Sequence, residues 1–282
     1  ASLTIPENII HIGSYSFTSC TGIGGEIIIP DSVTRIDNHA FSNCINFTSL
    51  RIGKGLTEIG ENVFERCTSL QNIKLPETVK SIRSYAFYQC TGIVGTLTIP
   101  EKNKQLSDYC FEFCSKISDI AFPEDFGTIN PYAFRSCSSL INLNLTNVVK
   151  SICFNAFSNC AGLQTVIFSE KIQEIQNNTF EYCISLKEVN WPNDINIQYE
   201  TFQYCTSLSN INFNKTKIIG KGAFQNCTGL QILNLTDTEI NTIGVESFQF
   251  CTRLQTLIFP DTLTSINDNA FQFCTSLKEL DF

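Results

Sequence analysis

A parallel-stranded solenoid of about twelve repeats, each 22–24 residues long, is the fold this sequence predicts. Three observations predict it. Twelve of the fourteen cysteines follow a phenylalanine by three residues, from Phe17/Cys20 to Phe271/Cys274. Successive cysteines of that series stand 22 to 24 residues apart along the whole chain. Between them, apolar residues recur at fixed offsets, so every repeat reads as the same structural unit.

After its cysteine, each unit carries apolar residues three, six and eight positions on, as Leu70, Ile73 and Leu75 after Cys67. The last two are two apart, the period of a strand with one buried face. A proline often follows (Pro76, Pro260) and ends the strand, because it cannot donate to a ladder. Gly53, Thr146, Ser169, Asn214 and Thr236 stand in its place elsewhere. Next comes an apolar pair three apart (Val33 and Ile36, Val79 and Ile82), then a polar turn, Ala-Phe and the closing Cys. One unit cannot bury this apolar face alone. Stacked units can, with strands paired in parallel about 4.8 Å apart, giving roughly 55–60 Å for twelve units. Each buried Phe contributes roughly 1.5–3 kcal/mol, so the phenylalanine column is a main adhesive. Phe122, Phe168, Phe213, Phe259 and Trp191 take strand positions and are expected in the core. Asn103 is a departure, polar where Val or Leu is usual.

Composition narrows the function. A net charge of −8 and a pI near 4.9 lack the electrostatic footprint of a nucleic-acid binder. The glycines form no phosphate-binding fingerprint, and there is no Cys-x-x-Cys pair of the kind that holds zinc. His11 and His39 belong to units far from Cys153, so no nucleophile–base pair is available. No catalytic residue, metal site or cofactor is expected, and the chain reads as a non-enzyme. No run approaches the ~18 apolar residues of a membrane helix, so membrane contact would come through segments outside this chain. The lack of an initiator Met, with ends at strand residues Leu3 and Leu280, predicts a single repeat domain over residues 1–282, cut within a repeat at both ends.

A disulfide framework is not expected despite the even cysteine count. Equivalent side chains in stacked units are parallel and about 4.8 Å apart, beyond the ~3.5–4.5 Å between Cβ atoms that a disulfide wants. The column reads instead as small buried hydrophobes. Cys110 takes the buried Ala position, and Cys153 is expected to be the one accessible thiol. His39 is expected to be a solvated turn residue and His11 an exposed one. Six Asn-x-Ser/Thr sequons occur, at Asn46, Asn144, Asn177, Asn214, Asn226 and Asn234, a number that the Asn, Ser and Thr content produces by chance.

The pattern Leu-x-x-Ile-x-Leu-Pro-x-x-Val-x-x-Ile-x-x-x-Ala-Phe-x-x-Cys resembles the BspA-like, Treponema-type class of leucine-rich repeats over the entire chain. That class occurs in surface proteins of host-associated bacteria and parasitic protists. The resemblance implies a leucine-rich repeat solenoid, with a parallel sheet on the concave face and short strands, turns or 3-10 segments on the convex face. It also implies a cell-surface or secreted adhesin whose partner is a host or extracellular-matrix protein, another cell-surface protein, or a glycan. The alternative is a cytoplasmic scaffold for protein–protein interaction, which the same sheet would serve.

In that class the sheet's outward residues face the partner. They form two columns here, one including Asn142 and Asn210, the other Arg51, Lys74, Asn144, Asn190, Asn212 and Asn234. The six asparagines are candidates for a donor–acceptor strip, and Arg51 with Lys74 for a small basic spot. Alternatively, Asn and Thr on this sheet only hydrogen-bond their stacked neighbours.

Overall fold

The computed structural model describes residues 3–146, 149–192 and 194–281. The chain divides into two compact units, Ala1–Leu140 and Ile141–Phe282, each a parallel β-solenoid with six Phe–Cys turns. In the first unit the longer strands are Leu3–Thr4, Gly25–Ile29, Phe47–Ile52 and Asn72–Lys74, then Gly95–Thr98 with Ile117–Ala121. In the second they are Asn142–Asn144, Thr165–Ile167, Glu188–Asn190 and Asn210–Asn212, then Ile232–Asn234, Thr256–Ile258 and Glu279–Asp281. A second ladder of two-residue strands, such as Glu58–Ile59 on Ser81–Ile82, is built by the apolar pair after the proline. The convex-face expectation is met by short strands and turns; no 3-10 segment and no helix occurs among the described residues. Among the described residues no helix is long and apolar enough to cross a membrane.

Register follows the apolar pattern. Leu50 pairs with Ile73, and Leu143 with Val166, keeping each apolar column on the inner face. The extra residue after Cys20 and after Cys90 is absorbed where Gly25 and Gly95 adopt φ of +72° and +83°. Opposite them the pairing slips by one residue, between Gly25 and Glu26 and between Ile117 and Asp119. Glycine takes that conformation without a Cβ clash.

The phenylalanine column is continuous within each unit. Ring centroids are 5.2 Å apart for Phe87 and Phe111, and 5.6 Å for Phe111 and Phe134, with near-parallel planes. Interior members are fully buried, whereas Phe17 and Phe271 are half-buried. Trp191 is fully buried and donates its Nε1–H to the Ile195 carbonyl at 2.8 Å. Phe168 is only half-buried, but its ring meets Trp191 edge-on.

Around each Phe the backbone does something the sequence reading did not anticipate. Residues two before and two after it are left-handed in turn after turn, including Tyr109 (φ 59°) and Phe113 (φ 63°) about Phe111. Such a conformation costs a non-glycine residue about 1–2 kcal/mol. The next turn holds it in place. The N–H groups of Tyr109, Phe111 and Phe113 donate to the carbonyls of Pro131, Ala133 and Arg135 at 3.0, 2.9 and 2.8 Å.

Three expectations are corrected. His39 is not a solvated turn residue; it is left-handed, half-buried and stacked on Tyr15 at 4.8 Å, because its turn position places it in a ring column. Cys153 is not the one accessible thiol, since Cys20 is equally half-buried where its column begins. The column cysteines are more than small hydrophobes. All fourteen are thiols, and in turn after turn the column Sγ donates to the carbonyl of the phenylalanine one turn back, as Cys90 to Phe64 (3.0 Å) and Cys227 to Phe202 (3.1 Å). The thiol adds a second donor to a buried carbonyl that already accepts the N–H of the cysteine in its own turn, as Phe64 does from Cys67 at 3.3 Å. Burial pushes these thiols up, to about 11 at Cys44. Cys110 is fully buried, and His11 is exposed with its Nε2 2.8 Å from Asp37 Oδ2.

Candidate functional site

The outward columns of the longer strands form the candidate surface. Strand pairing aligns Glu26, Ser49 and Asn72, and beside them Ile28, Arg51 and Lys74. In the second unit it aligns Asn142, Thr165, Glu188 and Asn210, and separately Asn190 with Asn212. Asn234 lies in the ladder that pairs it with Ile258. Arg51, Lys74, Asn142, Asn144, Asn190, Asn210, Asn212 and Asn234 are all exposed.

The asparagines divide by what their amides touch. Asn142 Oδ1 accepts from Thr165 Oγ1 of the next turn at 2.7 Å, a bond between stacked neighbours. Asn144, Asn212 and Asn234 fold back on their own chain. Asn144 Oδ1 accepts from the N–H (3.0 Å) and the hydroxyl (2.7 Å) of Thr146. Asn234 does the same with Thr236 at 3.0 and 2.9 Å, and Asn212 accepts from the Asn214 N–H at 3.1 Å. These are the turns in which proline is missing, so the asparagine carbonyl satisfies an N–H that proline would not have. All three residues remain exposed. Asn190 stands two before Pro192, and neither it nor Asn210 makes a side-chain hydrogen bond among the described residues.

Arg51 and Lys74 face each other on adjacent strands. Beside them is a cleft of about 680 Å³ whose walls include Ile28, Ile52, Leu75, Pro30 and Pro76. Sequence reasoning found the two cations but not these walls, which form only when successive turns stack.

A second cluster was missed altogether, on the turns of the first unit. Tyr85, Tyr109 and Tyr132 stack at 4.6 Å spacing, and the Arg135 guanidinium lies 5.4 Å from the Tyr132 ring. Arg135 Nη1 is 3.3 Å from Oε1 of Glu112, which is 3% exposed. Burial pushes the Glu112 carboxyl up to about 7, against the pull of Arg135. The sequence signal was the tyrosine recurring two residues before Phe87, Phe111 and Phe134 in three successive turns.

Comparison with known proteins decides the family. The model of the BspA type leucine rich repeat region matches in six copies, over residues 1–118, 92–209 and 195–282. The chain belongs to the BspA-type leucine-rich repeat family. A leucine-rich repeat protein from Bacteroides ovatus is 27% identical, with a TM-score of 0.66 over 99% of this chain and 84% of that one. The Treponema pallidum leucine-rich repeat protein is 25% identical over 62% of this chain and 82% of its own, with a TM-score of 0.56. A leucine-rich cell surface protein of Faecalibacterium prausnitzii has a TM-score of 0.60 at 22% identity, over 100% of this chain and 86% of its own; that likeness shows the fold alone. No curated protein matches the chain. BspA-type repeats are protein-binding and typically non-enzymatic.

Proposed function

We propose that this chain is a non-enzymatic adhesin, displayed on the cell surface or secreted, that binds a host or extracellular-matrix protein, or a protein of another cell, through the outward columns of its longer strands. One observation carries the reading: side chains on those strands stand in registered columns, and all eight candidate residues are exposed. A pleated sheet with fixed register presents hydrogen-bonding groups on rigid supports, so little entropy is lost when a partner docks. Asn190 and Asn210, with amides unspent inside the sheet, and the exposed side chains of Asn144, Asn212 and Asn234 supply donors and acceptors. A glycan would use the same groups. The adhesin assignment rests on the family resemblance.

Two experiments test this. Intact cells are treated with a membrane-impermeant amine reagent, and the protein is recovered. Labelling supports the surface reading; no labelling, with surface and internal controls behaving, sinks it and turns the search to a cytoplasmic scaffold. In the second, Asn190→Asp, Asn210→Arg and Asn212→Asp are combined. Undiminished affinity for an identified partner, with the fold intact, excludes these columns.

A further inference from the structure

The six Asn-x-Ser/Thr sequons are as many as composition produces by chance, but the fold does not treat them alike. In Asn144-Leu145-Thr146 and Asn234-Leu235-Thr236 the asparagine Oδ1 accepts both the N–H and the hydroxyl of the threonine. The distances are 3.0 and 2.7 Å in the first and 3.0 and 2.9 Å in the second. Both asparagines and both threonines are exposed, and neither asparagine Nδ2 makes a hydrogen bond among the described residues. These bonds join residues two apart, so the turn needs no stacking and forms in a chain still being made. At the other sequons the same groups are spent. Asn46 Nδ2 donates to the Thr21 carbonyl of the preceding turn at 2.7 Å, and Asn214 Nδ2 to the Trp191 carbonyl. Thr179, of the Asn177 sequon, is fully buried, and its hydroxyl donates to the Gln176 carbonyl at 2.7 Å. Asn226 is half-buried and left-handed beside the buried Cys227, and Thr228 Oγ1 donates to the Thr206 carbonyl at 3.5 Å. Asn212 turns onto the Asn214 N–H at 3.1 Å in the same way, but Asn214 has no hydroxyl.

We infer that Asn144 and Asn234 carry N-linked glycans. The inference rests on the protein being displayed on the cell surface or secreted, since the sequon is an acceptor only in an exported chain. The donor is an oligosaccharide joined through a diphosphate to a membrane lipid. The asparagine Nδ2 gives one proton to a base of the transferase and bonds to the anomeric carbon of the first sugar. That carbon's bond to the diphosphate oxygen breaks, and the lipid diphosphate leaves with the electron pair. Leu145 and Leu235 are buried, so transfer precedes the stacking of these turns. The folded turns then keep their bonds, because both threonine donors go to Oδ1 and the sugar is on the nitrogen. In register with each asparagine on the next strand stands an isoleucine of the same outward column, Ile167 beside Asn144 and Ile258 beside Asn234. The apolar face of the first sugar can cover it, removing apolar surface from water. Asn144 and Asn234 stand on the strands before and after those of Asn190, Asn210 and Asn212. The two glycans therefore flank the asparagine strip, and their hydroxyls supply the donors and acceptors at these two positions.

The test uses the protein from its own cells, recovered after labelling with the membrane-impermeant amine reagent, and any protein released to the medium. Peptide-N-glycosidase in H₂¹⁸O converts each glycosylated asparagine to an ¹⁸O-marked aspartate. Mass spectrometry reads the mark at every sequon and at Asn212, with an enzyme-free digest as the control for spontaneous deamidation. The expected result is near-complete marking at Asn144 and Asn234, and little or none at Asn46, Asn177, Asn212, Asn214 and Asn226. Both marks are lost in a Thr146→Ala/Thr236→Ala variant and retained in Thr146→Ser/Thr236→Ser. Both threonines are exposed, and circular dichroism verifies that the variants fold. Labelled or released protein with either asparagine unmarked, or marked no more than Asn46 and Asn214, overturns the inference and leaves the surface reading standing. Marks that persist in the alanine variant overturn it too. Protein that is neither labelled nor released, and unmarked, sinks the surface reading and this inference with it.

Discussion

Replacing Phe111 with alanine tests what holds the turns together. Its ring is fully buried between Phe87 at 5.2 Å and Phe134 at 5.6 Å, so truncation removes a transfer contribution and leaves a cavity on both sides. Phe→Ala in a core costs about 3–5 kcal/mol. Two ring–ring contacts at about 0.5–1.5 kcal/mol each are part of what is lost, which puts this site at the top of that range, about 5 kcal/mol. Phe113 supplies the control. It is two residues away and left-handed like its neighbours, but half-buried, with Tyr88 edge-on at 5.8 Å. Its alanine variant should lose about 1 kcal/mol, as a single aromatic contact would. Urea melts of both variants, followed by circular dichroism, measure the difference. Stability in a repeat array is carried by neighbour-to-neighbour interfaces, so Phe111→Ala should also broaden or split the transition. A loss below about 2 kcal/mol, or no larger than that of Phe113→Ala, refutes the column as the adhesive.

Three further outcomes are expected. Asn103 is fully buried with both amide atoms unpartnered, in the column of Val33 and Val79, so Asn103→Val should raise stability by about 1–3 kcal/mol; a lower urea midpoint contradicts this. The Glu112 carboxyl lies at about 7 in the fold against an ordinary value of 4.5, so its contribution is fully present below pH 4.5 and is lost as pH rises through 7. Glu112→Gln should therefore stabilise the fold at pH 8, with a gain that is level down to about pH 7 and then shrinks by about 1.4 kcal/mol per pH unit towards pH 4.5; parallel pH profiles for variant and parent contradict it. Thiol titration of the native protein should show two fast cysteines, Cys20 and Cys153, and twelve slow ones that react only on unfolding, since burial both hides the column thiols and disfavours their thiolates.

Much of this architecture is legible in one sequence because the repeat samples the same physics twelve times. The strand offsets, the phenylalanine column and the identity of the outward columns follow from periodicity, and the register of Arg51 on Lys74 bears them out. What escaped depends on bonds between turns. A left-handed Tyr109 or Phe113 has no sequence mark of its own, although asparagine recurring at the equivalent positions 43, 62, 155, 159 and 178 is the trace of it. The thiol-to-carbonyl bonds join residues about 26 apart and emerge only from stacking. The division of labour among the asparagines was readable in retrospect, since Asn144, Asn212 and Asn234 each stand two residues before a strand end without proline.

The most direct test of the functional reading is binding of the purified chain to a panel of extracellular-matrix proteins, measured for three forms side by side. These are the parent, the combined Asn190→Asp/Asn210→Arg/Asn212→Asp variant, and Glu174→Lys, which changes an exposed residue of the short-strand ladder in the same unit. The account predicts saturable binding to at least one matrix protein, abolished in the asparagine variant and retained in Glu174→Lys. Retention in the asparagine variant with loss in Glu174→Lys would place recognition on the other ladder and contradict it.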